Sequence, residues 1–144
     1  MPSPFRTALL VESLGNILGG LGLLFTPSLQ LSFILRSSSS ITPLSTSLAQ
    51  MLGCVTLALA VPLLVAYPDT PNGVANRWGA YATLGLGEAL LVPTLIGWWA
   101  KGGGPFSDVF LLGGAGVLGV IFGGRMFVLG VRPDMMAAEK GKGA

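Results

Sequence analysis

Long apolar runs alternate with short polar breaks along the chain, and four of the runs are long enough to cross a membrane as helices. The hydrocarbon core of a bilayer takes about 20 residues of helix. The breaks, TPSLQLSFILRSSSSITPLS, YPDTPNGVANR and KGGGPFSD, are rich in Pro, Gly, Ser and Asn, as connecting turns are. The pattern predicts an all-α, four-span transmembrane helical bundle forming a single domain over residues 1–144, with a flexible tail at 133–144 and spans at 6–26, 46–67, 78–99 and 107–131.

The composition is that of a membrane protein, and it limits which residue types could act as acids, bases or metal ligands. Hydrophobic residues make up 51% of the chain and charged residues 10%, whereas a soluble domain carries about 25% charged residues. The chain has one Cys and no His, which excludes an internal disulfide and removes the commonest general base and zinc ligand. We therefore expect no metal, no organic cofactor, and acid–base chemistry on Glu, Asp, Tyr or Lys. The basic residues are scattered, so no basic stripe exists to bind nucleic acid.

The distribution of Lys and Arg over the short loops predicts the orientation in the membrane, because the side richer in these residues stays cytosolic. Both termini are predicted to face the cytosol, since one side carries Arg6, Arg77, Arg132, Lys140 and Lys142 and the other carries Arg36 and Lys101. The C-terminal KGKGA resembles a dilysine retrieval signal, which would place the protein in the endoplasmic reticulum. A solvated tail is the alternative interpretation of these lysines.

Three ionisable residues lie inside the predicted spans: Glu12, Glu88 and Arg125. Charged residues within a membrane are costly and normally face the interior of the bundle, so each is a functional hypothesis. From the rise per residue of an α-helix, Glu12 and Arg125 lie at similar depth. Asn16 and Glu88 lie one turn deeper.

Polar residues on two spans share faces that are predicted to line one cavity. Glu12 and Asn16 are four residues apart, so they lie on one face of span 1. Arg77, Tyr81 and Glu88 share a face of span 3, with Arg77 at the cytosolic mouth. The sequence therefore predicts a cytosol-facing cavity between spans 1, 3 and 4.

The buried charges have two interpretations. A pair between Glu12 and Arg125 could simply hold spans 1 and 4 together, with Asn16 as a hydrogen-bonding contact between helices. That pair leaves Glu88 without a partner, and two carboxyl groups in different environments can divide acid and base roles. We therefore predict Glu88, removed from water, as the acid and Glu12, paired with Arg125, as the base; coupled carboxyls could also exchange these roles. Asn16 and Tyr81 would orient water or substrate, and Arg77 would contribute to substrate binding at the cytosolic mouth.

Glycine rows predict where two spans pack. Gly15 and Gly19 in GNILGG, and Gly119 and Gly123 in GVLGVIFGG, have the spacing of small residues at close helix contacts. We expect them to pack spans 1 and 4 together.

The chain resembles, over its whole length, the small multi-span proteins of fungal biosynthetic clusters, in particular the membrane epoxide hydrolases associated with polyene polyketides of the aurovertin and citreoviridin type. It also resembles, at about half the length, the seven-span terpene cyclases of fungal meroterpenoid pathways, which rely on intramembrane acidic residues. The opening RTALLVESLGNILGGLGLLFTP is similar to the start of DoxX-like four-helix proteins. These resemblances imply acid–base roles for Glu12 and Glu88.

Three functions fit these features. The first is an intramembrane enzyme of a secondary-metabolite pathway, which opens a lipophilic epoxide by hydrolysis or cyclisation and meets substrate and lipid in the bilayer. The second is a non-enzymatic membrane subunit or chaperone whose buried charges specify helix pairing. The third is a small proton-coupled carrier that works as a homo-oligomer. Proton flux coupled to Glu12 or Glu88 would identify the carrier, and lost assembly with retained chemistry would identify the subunit.

Overall fold

A computed structural model describes residues 4–137, and within that range the fold contains α-helices and no β-strand. The α-helices are α1 (Pro4–Phe25), α2 (Pro27–Ile34), α3 (Pro43–Ala66), α4 (Pro71–Ala100) and α5 (Asp108–Gly130). By length and composition α1, α3, α4 and α5 can each cross a membrane. The predicted all-α, four-span fold is confirmed, and the chain is a membrane protein. We call the end of the bundle at which α1 begins and α5 ends the terminal end, and the opposite end the distal end.

Capping residues set where the long helices begin. Thr42 and Ser45 form a reciprocal capping box at the start of α3, and the Ser107 hydroxyl accepts a hydrogen bond from the Phe110 amide at the start of α5. Thr70 caps α4, and Pro71 at its first position favours the helical backbone. Consequently α4 begins seven residues before the predicted span, and its 30 residues exceed the about 20 that a bilayer core takes.

The helices pack as two pairs, α1 with α3 and α4 with α5, which meet mainly along α3 and α4. Gly20 of α1 and Gly53 of α3 allow the first pair to approach closely. A Cβ on Gly20 would lie 2.9 Å from the Gly53 carbonyl oxygen, and a Cβ on Gly53 would lie 2.8 Å from the Gly20 oxygen. The expectation that glycine rows pack spans 1 and 4 is wrong, because a Cβ would meet nothing within 4 Å at Gly15, Gly19, Gly119 and Gly123.

This contact predicts different outcomes for two adjacent glycines. Gly20→Val should lower the free energy of unfolding by about 1–3 kcal/mol, because the new side chain overpacks the α1–α3 contact. Gly19→Val is the matched control, since it carries the same helix propensity change but enters open space. Unfolding of both variants in mixed detergent micelles, followed by circular dichroism, checks the difference. Equal stability of the two would contradict the close contact.

The distal end is closed by contacts between the segment after α2 and the loop before α5. Leu35 and Phe106 form an antiparallel bridge, and the Ser107 amide donates to the Ile34 carbonyl at 2.9 Å. Arg36 Nη2 also donates to Asp108 Oδ1 at 2.7 Å. The loop turns sharply at Gly102, Gly103 and Gly104, whose φ angles are 91°, 75° and 57°. These values lie in the left-handed region, which favours Gly.

The segment after α5 is packed at the terminal end. Pro133–Met136 forms a 3-10 helix, and Met136 is buried. Arg77 Nη1 donates to the carbonyl oxygens of Met136 at 2.9 Å and Ala137 at 3.0 Å. Within the predicted flexible tail, residues 133–137 are thus anchored by the buried Met136 side chain and by the hydrogen bonds to the Met136 and Ala137 carbonyls. The KGKGA segment lies outside the described residues.

Candidate active site

Arg125 binds both carboxylates that the sequence places inside the membrane. Its Nη2 donates to Glu12 Oε2 at 2.7 Å, and its Nε lies 3.0 Å from each oxygen of Glu88. One guanidinium thus joins α1, α4 and α5. The expected pairing of Glu12 with Arg125 is confirmed. The expectation that Glu88 lacks a partner is wrong, because the long Arg125 side chain reaches both carboxylates.

Arg125 is enclosed by the helices on either side of it. Only 4% of the residue is exposed. Gly85, on the α4 face next to Glu88, lies beside its stem, and a Cβ there would make an ordinary contact 3.7 Å from Arg125 Cδ. The Arg125 guanidinium carbon lies 4.7 Å from the centroid of the Tyr81 ring, and this cation–π contact strengthens where water is excluded. The guanidinium is held on three sides.

Aromatic packing supports the Tyr81 ring from the terminal end. The ring centroids of Phe5 and Tyr81 are 4.9 Å apart. The Arg77 guanidinium carbon lies 5.5 Å from the Phe5 ring centroid. Tyr81, Phe5 and Arg77 are all buried. The orientation of Arg125 therefore depends on a stack that continues to the end of the bundle.

A cavity of about 220 Å³ adjoins this cluster at the terminal end. Glu12, Tyr81 and Arg125 line it, together with apolar residues of α1, α5 and the following segment that include Phe5, Val128 and Met135. Glu88 does not line the cavity, because it lies against Nε on another side of the guanidinium. The predicted position between spans 1, 3 and 4 is confirmed. Of the two carboxylates, Glu12 is the one that a molecule in this cavity would contact.

One donor of the cluster is unused. Arg125 Nη1 is buried and has no hydrogen-bond partner within residues 4–137. A buried donor left without a partner costs about 1–3 kcal/mol. An oxygen atom of a bound molecule would satisfy it. The unused donor is therefore free to bind an oxygen acceptor, whether from water or from a bound molecule.

Two residues that the sequence assigned to the substrate site lie elsewhere. Asn16 is half-buried one turn beyond Glu12 and does not line the cavity. Arg77 is 1% exposed and is also outside the lining; it donates to the Ala66 carbonyl, pairs with Asp69 and holds the segment after α5. The expected position of Arg77 at an open mouth is wrong, because backbone carbonyls and Asp69 enclose its guanidinium.

Sequence reasoning missed the apolar wall of the cavity. Ala8, Ile121 and Val128 line it, and apolar residues in a membrane span give no signal that separates a cavity wall from a helix contact. Met135 also lines it, although the segment that contains it was expected to be flexible. The proline at the start of Pro133–Met136 was the available signal, since proline favours the first position of a helix.

Within residues 4–137, no cluster of three or more Asp, Glu, Cys or His side chains is arranged to hold a metal ion. The chain matches no protein-family model, no curated protein and no solved structure. The geometry of the Glu12–Arg125–Glu88 cluster and its cavity is therefore the basis for a proposal about function.

Proposed function

We propose that the protein is an intramembrane acid–base enzyme that opens a lipophilic epoxide without metal or organic cofactor, in a pathway of secondary metabolism. The observation that carries the proposal is the Glu12–Arg125–Glu88 cluster beside a cavity that only Glu12 and Arg125 of the three line. A carboxylate and a free guanidinium donor are the groups that epoxide opening needs. The resemblance to membrane epoxide hydrolases and cyclases points to the same chemistry.

The cavity lining favours Glu12 as the general base. Glu12 takes a proton from water, the water oxygen bonds to an epoxide carbon, and the carbon–oxygen bond of the ring breaks. Arg125 Nη1 donates a hydrogen bond to the oxygen that becomes an alkoxide, and this donor acts most strongly where water is excluded. Glu12 then returns its proton to the alkoxide, so that one water is added and the site is restored. For cyclisation, a substrate hydroxyl replaces water.

In this division of roles Glu88 is a positioning residue. Its two oxygens hold Arg125 Nε, which leaves Nη2 for Glu12 and Nη1 for the substrate. From the sequence alone, Glu88 was the predicted acid. Its position outside the cavity lining favours the positioning role instead.

Localisation and orientation are part of the proposal. We place the protein in the endoplasmic reticulum with both termini cytosolic. Support comes from the positions of the basic residues, since Arg6, Arg77 and Arg132 lie at the terminal end and Arg36 and Lys101 at the distal end. The cavity would then lie near the cytosolic side of the membrane. Glycosylation acceptor sites introduced into each loop check the orientation.

The test is conversion of a panel of lipophilic epoxides by the purified protein in lipid nanodiscs, in water labelled with heavy oxygen. Hydrolysis should give a diol with one labelled oxygen, and cyclisation should give an unlabelled product. Glu12→Gln, checked for intact fold, is the control for adventitious opening. Absence of conversion by the wild type across the panel would favour the second candidate, a subunit whose Arg125 serves only to join α1, α4 and α5.

A further inference from the structure

A second cavity occupies the distal half of the bundle. Its volume is about 630 Å³, within the roughly 300–1,000 Å³ of small-molecule sites. Residues of all five helices line it. The lining is apolar except for the Ser40 and Ser45 hydroxyls and the ring nitrogen of Trp98, and the Ser45 hydroxyl already donates to the Thr42 carbonyl at 3.0 Å. The wall thus suits a hydrocarbon.

The distal cavity approaches the Glu12–Arg125–Glu88 cluster to within about one helical turn on two helices. On α4, Leu91 lines the distal cavity and lies three residues after Glu88. On α5, Leu118 lines the distal cavity and Ile121 lines the smaller one. The two cavities share no lining residue, so an extended molecule that occupied both would pass beside this cluster.

The charges at the two ends of this space determine the polarity of an occupant. At the distal surface, Arg36 and Asp108 bind each other at 2.7 Å, and the Leu35–Phe106 bridge closes the segment above the cavity. These two charges therefore compensate each other. Beyond the inner end lies the Glu12–Arg125–Glu88 cluster, in which Arg125 Nη1 is a buried donor without a partner within the described range.

One wall of the distal cavity is a row of aromatic rings. Trp98 and Phe106 stack with centroids 5.1 Å apart and planes inclined by 7°. Phe110 continues the row, with its centroid 5.9 Å from that of Phe106. All three line the cavity. Flat rings present a broad apolar surface along which an extended chain can lie.

From these observations we infer that the distal cavity binds the uncharged hydrocarbon chain of the substrate, whose oxygen function lies at Arg125 and Glu12. The inference rests on the proposed function for the identity of that oxygen function. It adds that the substrate is elongated, with its reactive group toward the terminal end. The side chains at the distal end then limit the length of chain that the enzyme accepts.

Gly114 and Gly113 offer a matched pair of variants. A Cβ on Gly114 would lie 3.5 Å from Leu95 Cδ1, an ordinary contact, and Gly114 lines the distal cavity. Gly114→Leu should therefore fill the cavity without disturbing the helix. Gly113 is exposed, and a Cβ there meets nothing within 4 Å. Gly113→Leu makes the same change in composition outside the cavity.

Binding is measured by quenching of Trp98 fluorescence in protein that carries Trp78→Phe and Trp99→Phe. The probe is bromodecane, an uncharged chain with a heavy-atom quencher, added to nanodiscs. We expect a saturable component whose dissociation constant rises at least about tenfold in Gly114→Leu and is unchanged in Gly113→Leu. Equal quenching curves for the two variants would overturn the inference.

A second arm distinguishes the substrate chain from bilayer lipid. In nanodiscs made of phosphatidylcholine with brominated acyl chains, we expect Trp98 to be quenched equally in Gly113→Leu and Gly114→Leu. A loss of quenching only in Gly114→Leu would show that lipid fills the cavity and would overturn the inference.

Turnover separates this inference from the proposed function. Gly114→Leu should raise KM for a long-chain epoxide more than for a short-chain one, because the new side chain occupies the space of the far end of the chain. Saturable binding of bromodecane without turnover of any epoxide would refute the proposed function and support the cavity as a chain site. Turnover with unchanged KM in Gly114→Leu would refute the chain site alone.

Discussion

Replacing Arg125 by Met is expected to lower the free energy of unfolding by about 3–5 kcal/mol, the range for removing one partner of a buried ion pair. Arg125 is 4% exposed and binds Glu12 and Glu88. Its removal leaves two carboxylates facing each other in an apolar interior. The midpoint of unfolding in mixed detergent micelles, followed by circular dichroism, measures the loss.

A triple variant is the control for this prediction. Arg125→Met combined with Glu12→Gln and Glu88→Gln removes all three charges, and replacement of a whole buried charge cluster is often neutral for stability. The triple variant should therefore recover most of the lost stability while remaining inactive. If the triple variant is as unstable as Arg125→Met, then packing of the Arg125 stem against Gly85 and Tyr81, rather than its charge, determines stability at this position.

Glu12→Gln is expected to reduce the turnover of a lipophilic epoxide by about 10²–10⁴-fold, the usual contribution of a general acid or base. The substitution keeps the shape of the side chain and an oxygen that can accept from Arg125 Nη2. It removes the group that takes a proton from water. Single-turnover rates in nanodiscs, with substrate quantified per mole of lipid, measure the chemical step.

Glu88→Gln is the matched variant, because it makes the same change on the side of Arg125 away from the cavity. We expect a loss of about tenfold, since Gln still accepts a hydrogen bond from Arg125 Nε but holds the guanidinium less firmly. Equal losses in Glu12→Gln and Glu88→Gln would restore Glu88 to the role of acid that the sequence predicted. A larger loss in Glu88→Gln would contradict Glu12 as the base.

The sequence predicted the spans and the level of the buried charges for physical reasons. Apolar run length determines which helices can cross a bilayer, and the fixed rise per residue places Glu12 and Arg125 at the same depth. The contact between Arg125 and Glu88, which lies one turn deeper in the membrane, could not be predicted from the depth of the two residues. It depends on the length of the Arg125 side chain and on which faces of α4 and α5 meet, and depth along the membrane does not determine those faces.

Helix pairing was the least predictable part of the fold. Gly15, Gly19 and Gly20 all lie in one short stretch of α1, and spacing alone favoured the first two as the contact. The structure brings Gly20 against Gly53 instead. In a bilayer both exposed and packed faces are apolar, so the contrast that identifies a buried face in water is missing. The environment of Arg77 was also not predictable, because the carbonyl oxygens that accept its hydrogen bonds belong to residues in other segments of the chain.

The division of the helices into two pairs gives the Arg125–Glu12 bond a mechanical consequence. Few contacts join α1 to α5, and this bond, at 2.7 Å, crosses between them. The two helix pairs meet mainly along α3 and α4, and the Arg125–Glu12 ion pair also joins them, between α5 and α1. If the proposed function holds, a molecule that enters from the membrane between α1 and α5 must break this ion pair, and its entry then also uncovers the Glu12 carboxylate.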